Sequence, residues 1–86
     1  MQYLGAMSAV RADELSAEVA ALWCDLLDLR EVSDQADFLD LGGHSLIAIR
    51  LTAVLRERIS EDIPLVLVFE HPVLSDYVDA LRSYVD

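Results

Sequence analysis

Four consecutive residues, Gly42-Gly43-His44-Ser45, are the one place in this sequence where several unusual choices coincide. A hydroxyl beside two glycines offers either a nucleophile or an attachment point. The glycines leave the backbone free to take positive φ or to approach another chain closely. Hydrolysis fails on pattern, because a nucleophile elbow needs Gly-x-Ser-x-Gly and the chain reads Gly43-His44-Ser45-Leu46-Ile47. Nor do 86 residues leave a sheet on which to mount an oxyanion hole. His44 adjoins Ser45 in sequence, which does not by itself place its ring against the hydroxyl. There is no phosphate-cradling Gly-x-x-x-x-Gly-Lys, and a chain without lysine supports no Schiff base. One cysteine excludes an internal disulfide, and two histidines 27 positions apart with that thiol lack zinc-site spacing. No catalytic residue and no metal ligand is therefore expected.

Two roles remain open for Ser45. Serine at the start of a helix is an ordinary N-cap. An anionic group attached to it would instead be stabilised by the free N–H groups and the positive end of the helix dipole, and a phosphate ester fits that setting well.

The elements that must position this serine follow from periodicity. A chain of 86 residues with 55% hydrophobic and 26% charged content is one packed domain. Residues 1–12 show no period and read as a loosely ordered N-terminal extension. Leu15, Val19, Leu22, Trp23 and Leu26 recur at helical spacing, with Asp13 as the expected cap and Glu14 and Glu18 near the positive end. Trp23 lies on the leucine stripe as a core anchor, while Cys24 projects about 180° from Leu15, towards the edge or outside. Leu29 to Leu41 reads as a long acidic loop pinned by Val32, Phe38, Leu39 and Leu41, with the glycine pair as a mobile hinge after it.

Ser45 to Ile59 carries two apolar stripes. At about 100° per residue, Ile47, Ala48, Leu51, Val54, Leu55 and Ile59 fall within one arc of about 140°, wide enough for a core face. Leu46, Ile49 and Ala53 lie roughly opposite, flanked by Arg50, Arg56 and Glu57, and the charges favour an exposed strip that meets a partner. Pro64 suits a first helical position and Pro72 ends the following segment, which predicts a helix of about two turns with Leu65, Val68 and Phe69 facing the core. Leu74, Tyr77, Val78 and Leu81 predict a final helix, capped late by Ser75. The fold class is all-α, a bundle of three main helices and one short one.

Charge sets the partners. Sixteen carboxylates, six arginines and no lysine leave a net charge of −10. Nine acids against two arginines leave −7 before Gly42, and seven against four leave −3 from there on. Such a chain repels nucleic acid and anionic lipid, so basic protein partners are expected. The longest apolar run, Ile63 to Phe69, is far short of the ~20 residues that span a bilayer, and Met1 to Val10 lacks the basic start of a secretory signal. The expected location is cytoplasmic, with neither nucleic acid nor membrane as partner.

Asp37-Phe38-Leu39-Asp40-Leu41-Gly42-Gly43-His44-Ser45-Leu46, followed by Ala48, Arg50 and Leu51, resembles the attachment region of thiolation domains, the peptidyl carrier proteins of nonribosomal peptide synthesis within the acyl carrier protein superfamily. Ile63-Pro64-Leu65 with Phe69-Glu70-His71-Pro72 resembles that family's short third helix, and Trp23 sits where its first helix often has tryptophan. The resemblance runs from about Asp13 to Arg82. It implies a carrier unit over residues 13–83, with 84–86 as the C-terminal end, and a four-helix carrier bundle.

It further implies that a separate phosphopantetheinyl transferase joins 4′-phosphopantetheine, taken from coenzyme A, to Ser45 Oγ. The arm's thiol would hold an aminoacyl or peptidyl group as a thioester and carry it between an adenylation enzyme or domain and condensation, tailoring or thioesterase enzymes. The carrier would not itself be an enzyme. Asp40, Leu41, Gly42, Gly43 and His44 form the motif loop. Leu46, Ile49, Arg50 and Ala53 form the implied docking face, which Val66 extends. Two alternatives stay open: a polyketide-type acyl carrier, and a noncatalytic helical interaction module with Ser45 as a plain cap. Against the acidic second helix of fatty acid carriers, His44 to Ile59 holds three arginines and one glutamate, which favours a peptidyl carrier. Pro72-Val73 departs from the threonine or serine cap frequent before the last helix. Transient use of a small acidic domain suits a monomer, and Met1 with a one-domain length suits a free-standing protein.

Overall fold

The computed structural model describes residues 14–85, so the expectations for residues 1–12 and for Asp13 as a cap lie outside the described residues. Four α-helices follow in order: α1 Leu15–Leu27, α2 Ser45–Arg58, α3 Leu67–Glu70 and α4 Leu74–Leu81. A 3₁₀ turn, Arg82–Tyr84, continues from α4, and Tyr84 and Val85 pack partly buried against the core. No helix among the described residues is long and apolar enough to cross a membrane.

The core is the meeting of the helical stripes. Leu15, Val19 and Trp23 of α1 are buried against Ala48, Leu51 and Leu55 of α2 and Leu74, Tyr77, Val78 and Leu81 of α4. Leu22 and Leu26 lie at the edge of this stripe and are only partly buried, as is Cys24. Thr52 adds a buried position on α2 that an apolar pattern does not flag, four residues after Ala48 on the same face. Trp23 is the hub: its ring lies 5.1 Å from Phe38 and 6.1 Å from Tyr77, centroid to centroid, both tilted. Burial pushes the Tyr77 phenol well above its ordinary range, so the ring is neutral in the core.

Two segments differ from the periodicity reading. The short helix begins at Leu67, not at Pro64, and makes a single turn; Pro64 precedes it, its carbonyl accepting from Leu67 N at 3.2 Å. That later start rotates the phase of the segment. Ile63, Leu67 and Val68 are buried, Leu65 is half-buried, and Phe69 is turned out to 37% exposure. At α4 the N-cap is Val73, with no side-chain cap, so Ser75 does not serve as one. The loop supplies the caps instead: Leu74 N donates to Ala36 O and Ser75 N to Asp34 O, each at 2.9 Å. With Phe38 N donating to Pro72 O at 2.7 Å, these bonds sew the long loop to the start of α4 around an isolated bridge between Asp37 and Val73. The missing threonine or serine cap is thus offset by backbone carbonyls.

Candidate functional site

The turn that delivers Ser45 is built from Asp37 onward. Asp37 Oδ1 accepts from Leu39 N at 2.9 Å and from Asp40 N at 3.2 Å, an Asx turn that reverses the chain directly after Phe38. Leu41 N then donates to Asp37 O at 3.1 Å, Gly42 N to Leu39 O at 3.2 Å and Gly43 N to Phe38 O at 2.9 Å. Phe38 is fully buried against Trp23, whereas Leu39, expected to pin the loop, is 48% exposed because the reversal turns it outward. Five successive amides have acceptors, so the glycine pair is a fastened turn and not a hinge.

The two glycines are needed for different reasons. Gly42 takes φ +97°, a conformation that L side chains rarely adopt, with open space around it. Gly43 lies flat against Phe38, and a Cβ there would overlap the ring edge. Gly42→Ala should therefore cost about 1 kcal/mol through the backbone, and Gly43→Ala about 1–3 kcal/mol through overpacking. Urea midpoints of the two variants check the difference. Substituting leucine for Phe38 should relieve the second and leave the first unchanged.

Beyond the turn, His44 is extended (φ −113°, ψ −177°) and occupies the N-cap position of α2, its carbonyl accepting from Ala48 N at 2.9 Å. No side chain caps the helix. Ser45 is the first helical residue and is exposed, so it is not the N-cap that its residue type allowed. The first turn of α2 also contains no acidic residue, although α1, α3 and α4 each have one, at Glu18, Glu70 and Asp76. The first N–H groups of a 14-residue helix thus converge beside an exposed hydroxyl with neither a cap nor a carboxylate to occupy them. The opposite end has Arg56 and Arg58, which suit the negative pole. Arg56 Nε donates to Ile63 O at 2.7 Å and Arg58 pairs with Glu18 at 2.8 Å, tying α2 to the loop before α3 and to α1.

Apolar surface lies next to this hydroxyl. Leu46 and Ile49, on one face of α2 and one turn apart, are 52% and 50% exposed, and Arg50 and Ala53 are exposed beside them. Val66, at the N-cap of α3, is 53% exposed. In the motif loop Gly43 is buried, Leu41 is half-buried, and Asp40, Gly42 and His44 are exposed. Leu39, expected as a loop pin, and Phe69, which periodicity assigned to the core, are both exposed large hydrophobics. Phe38 is buried as the expected loop pin, whereas the positioning role of Asp37 has no signal in the sequence beyond an Asp-Phe pair shortly before two glycines. Among the described residues no group of three or more histidine, cysteine or acidic side chains could hold a metal ion.

Residues 17–81 match the family described as "Phosphopantetheine attachment site". The chain is 42% identical over 64 residues to phosphinothricin tripeptide synthetase PhsB of Streptomyces viridochromogenes, covering 74% of this chain and 5% of that protein. It is 37% identical over 81 residues to gramicidin S synthase 2 of Brevibacillus brevis, covering 88% of this chain and 2% of that protein. The chain therefore spans about a twentieth or less of these relatives. Among solved structures it is similar to a "Non Ribosomal PCP domain", with 32% identity, TM-score 0.66 and coverage of 83% of this chain and 91% of that one. It is also similar to BlmI of Streptomyces verticillus, a type-II acyl carrier protein involved in bleomycin biosynthesis, with 25% identity, TM-score 0.77 and coverage of 84% and 87%.

Proposed function

Because the chain belongs to the phosphopantetheine-attachment family of carrier domains, we propose that Ser45 Oγ is its attachment point and that it carries aminoacyl or peptidyl groups for nonribosomal peptide synthesis. Domains of this family bind 4′-phosphopantetheine covalently and are not themselves catalysts. One observation carries the assignment of Ser45: an exposed hydroxyl at the first position of an uncapped helix whose first turn has no acidic side chain. A phosphodiester on that oxygen lies at the positive pole of α2 and within reach of its unpaired N–H groups. A carboxylate there would repel it.

When bound, the arm supplies a terminal thiol that holds the acyl group as a thioester. Everything else falls to the chain's own residues. Ser45 contributes only its hydroxyl, which loses its proton as the transferase forms the bond to phosphorus and coenzyme A loses its nucleotide portion. The Asp37 to Gly43 turn presents that oxygen at the rim of the bundle. Leu46, Ile49, Ala53 and Val66 give an apolar face with Arg50 as a polar anchor, and Asp40 with His44 lines its edge. Docking on so small a face is weak and fast, as a carrier that visits successive enzymes requires. The partners proposed are a phosphopantetheinyl transferase, an adenylation enzyme or domain, and condensation, tailoring or thioesterase enzymes. The carrier unit is residues 13–83, acting as a monomer in the cytoplasm, where coenzyme A is available.

The test is intact mass after incubation with coenzyme A, magnesium ion and a permissive phosphopantetheinyl transferase. The expected result is a gain of one phosphopantetheine. No gain in a folded chain, with a control carrier modified in the same tube, returns the protein to a helical interaction module. The similarity to a type-II acyl carrier keeps a polyketide-type carrier as a second reading; loading of the arm by an acyltransferase and not by an adenylation enzyme would select it. The docking face has its own check. Ile49→Asp places a charge on a half-exposed site and should change stability by less than about 0.5 kcal/mol, while loading by the adenylation partner falls at least about tenfold. Unfolding of that variant would show the stripe to be core.

A further inference from the structure

We propose that Arg56 is a positioning residue: its Nε–H latches the connection between α2 and α3 and so holds Val66 in register with the apolar strip of α2. The inference rests on the carrier reading and the docking face proposed above; it adds the group that keeps the two parts of that face together. Arg56 follows Leu46, Ile49 and Ala53 at helical spacing, at the C-terminal end of the same strip. Its Nε donates to Ile63 O at 2.7 Å in a part-buried bond. Among the described residues no backbone amide donates to that carbonyl, and no other side chain of α2 bonds to residues 59–66.

The remaining bonds of the connection are local. Ile59 N donates to Leu55 O, Asp62 N to Ser60 Oγ, Ile63 N to Ser60 O at 3.3 Å and Leu67 N to Pro64 O at 3.2 Å. These shape turns without fixing where the connection lies against α2. Ile63, Leu67 and Val68 anchor the segment in the core, and α3 packs on α4. Apolar burial is non-directional, so the Arg56 bond is the directional link from α2 to the chain that leads to Val66, 53% exposed at the N-cap of α3. Without it, a partner that bears on both Ile49 and Val66 must order the connection as it binds, a cost that appears in affinity and not in the chemical step. The donor is Nε and not the outer fork, so the latch needs an N–H and not a charge. Glutamine carries its amide nitrogen as many bonds from Cα as Arg Nε and keeps that N–H without the charge. Methionine keeps an apolar stem and loses the donor.

The experiment is steady-state kinetics with the intact chain as protein substrate in two reactions, alongside amide hydrogen exchange. The first is modification by a transferase with coenzyme A and magnesium ion; the second is aminoacylation of the modified chain by an adenylation enzyme that loads the wild type. Val66→Asp, at an exposed position, identifies the reaction that reads Val66 by a rise in KM of about tenfold. In that reaction Arg56→Met should raise KM about fivefold with kcat retained. The Ile63 and Leu67 amides should then exchange faster while those of α1 keep their protection. Arg56→Gln should match the wild type in both respects. An unchanged KM in Arg56→Met overturns the proposal, as does a KM in Arg56→Gln as high as in Arg56→Met, which would make the charge itself the contact. Insensitivity of both reactions to Val66→Asp overturns it too, and so does failure of Arg56→Met to fold, which would leave Arg56 a role in stability alone. Failure of the wild type to be modified by the transferase would instead reject the carrier reading.

Discussion

Ser45→Ala is expected to abolish phosphopantetheinylation completely and to leave the domain folded, with stability unchanged or raised by up to about 0.5 kcal/mol. Loss of modification follows from the attachment proposed above, because alanine offers no oxygen to bond to phosphorus. The stability expectation comes from position. A serine N-cap replaced by alanine costs about 0.5–2 kcal/mol, because the hydroxyl satisfies an N–H that is otherwise orphaned. In this chain the N-cap is His44 and no side-chain cap bond exists, so that contribution is absent. Ser45 lies inside the first turn, where alanine is the better helix former by a few tenths of a kcal/mol. Intact mass and a urea midpoint on the same sample thus read two independent quantities. Zero modification with an undiminished midpoint is the expected pair. A midpoint lowered by the equivalent of about 1 kcal/mol would restore the cap role, and a modified Ser45→Ala chain would move the attachment to another hydroxyl.

The largest effect on stability is expected from Phe38→Ala, about 3–5 kcal/mol. Phe38 is fully buried, its ring is 5.1 Å from Trp23, and its other edge is covered by Gly43. Truncation opens a void between α1 and the turn before α2 that neither backbone can close, because Phe38 N and O are both engaged, with Pro72 and Gly43. Small domains are stable by only about 5–15 kcal/mol, and one of this length belongs near the low end. The variant should therefore show a transition displaced to very low urea, and its modification rate should fall with the folded fraction. Phe38→Leu should cost about 1–2 kcal/mol and should couple favourably with Gly43→Ala, since the smaller side chain vacates the space that the new Cβ needs. A double-mutant cycle measures that coupling. Strict additivity would mean that the Phe38–Gly43 contact carries no energetic weight.

Much of the bundle is legible in the sequence because its helices satisfy a single period with wide apolar stripes. Leu15, Val19 and Trp23 on α1, and Leu74, Tyr77, Val78 and Leu81 on α4, recur at helical spacing and are all buried. The segment around α3 resisted the same treatment, because a run of seven residues that are all apolar or proline has no polar position to set its phase. Only the turn at Pro64 decides that Leu67 and Val68 enter the core while Phe69 stays outside. Ser75 failed as a cap for a related reason: the carbonyls that bond the first amides of α4 belong to Asp34 and Ala36, some forty residues earlier in the chain, and no local pattern announces them.

The proposed attachment site divides along the same line. By itself the sequence determined the residue types the chemistry requires: a serine after two glycines, a helix behind it, an apolar strip along that helix, and the order of motifs that resembles a carrier domain. Tertiary structure alone decided that Ser45 is a first-turn residue and not a cap, that the glycine pair is a fastened turn wedged on Phe38, and that Leu39 faces solvent. The physical reason is that helical periodicity is a local property, set by 3.6 residues per turn. The register of a loop is a long-range one, set here by the Trp23–Phe38 contact and by bonds from Phe38, Leu74 and Ser75 that join segments far apart in the chain.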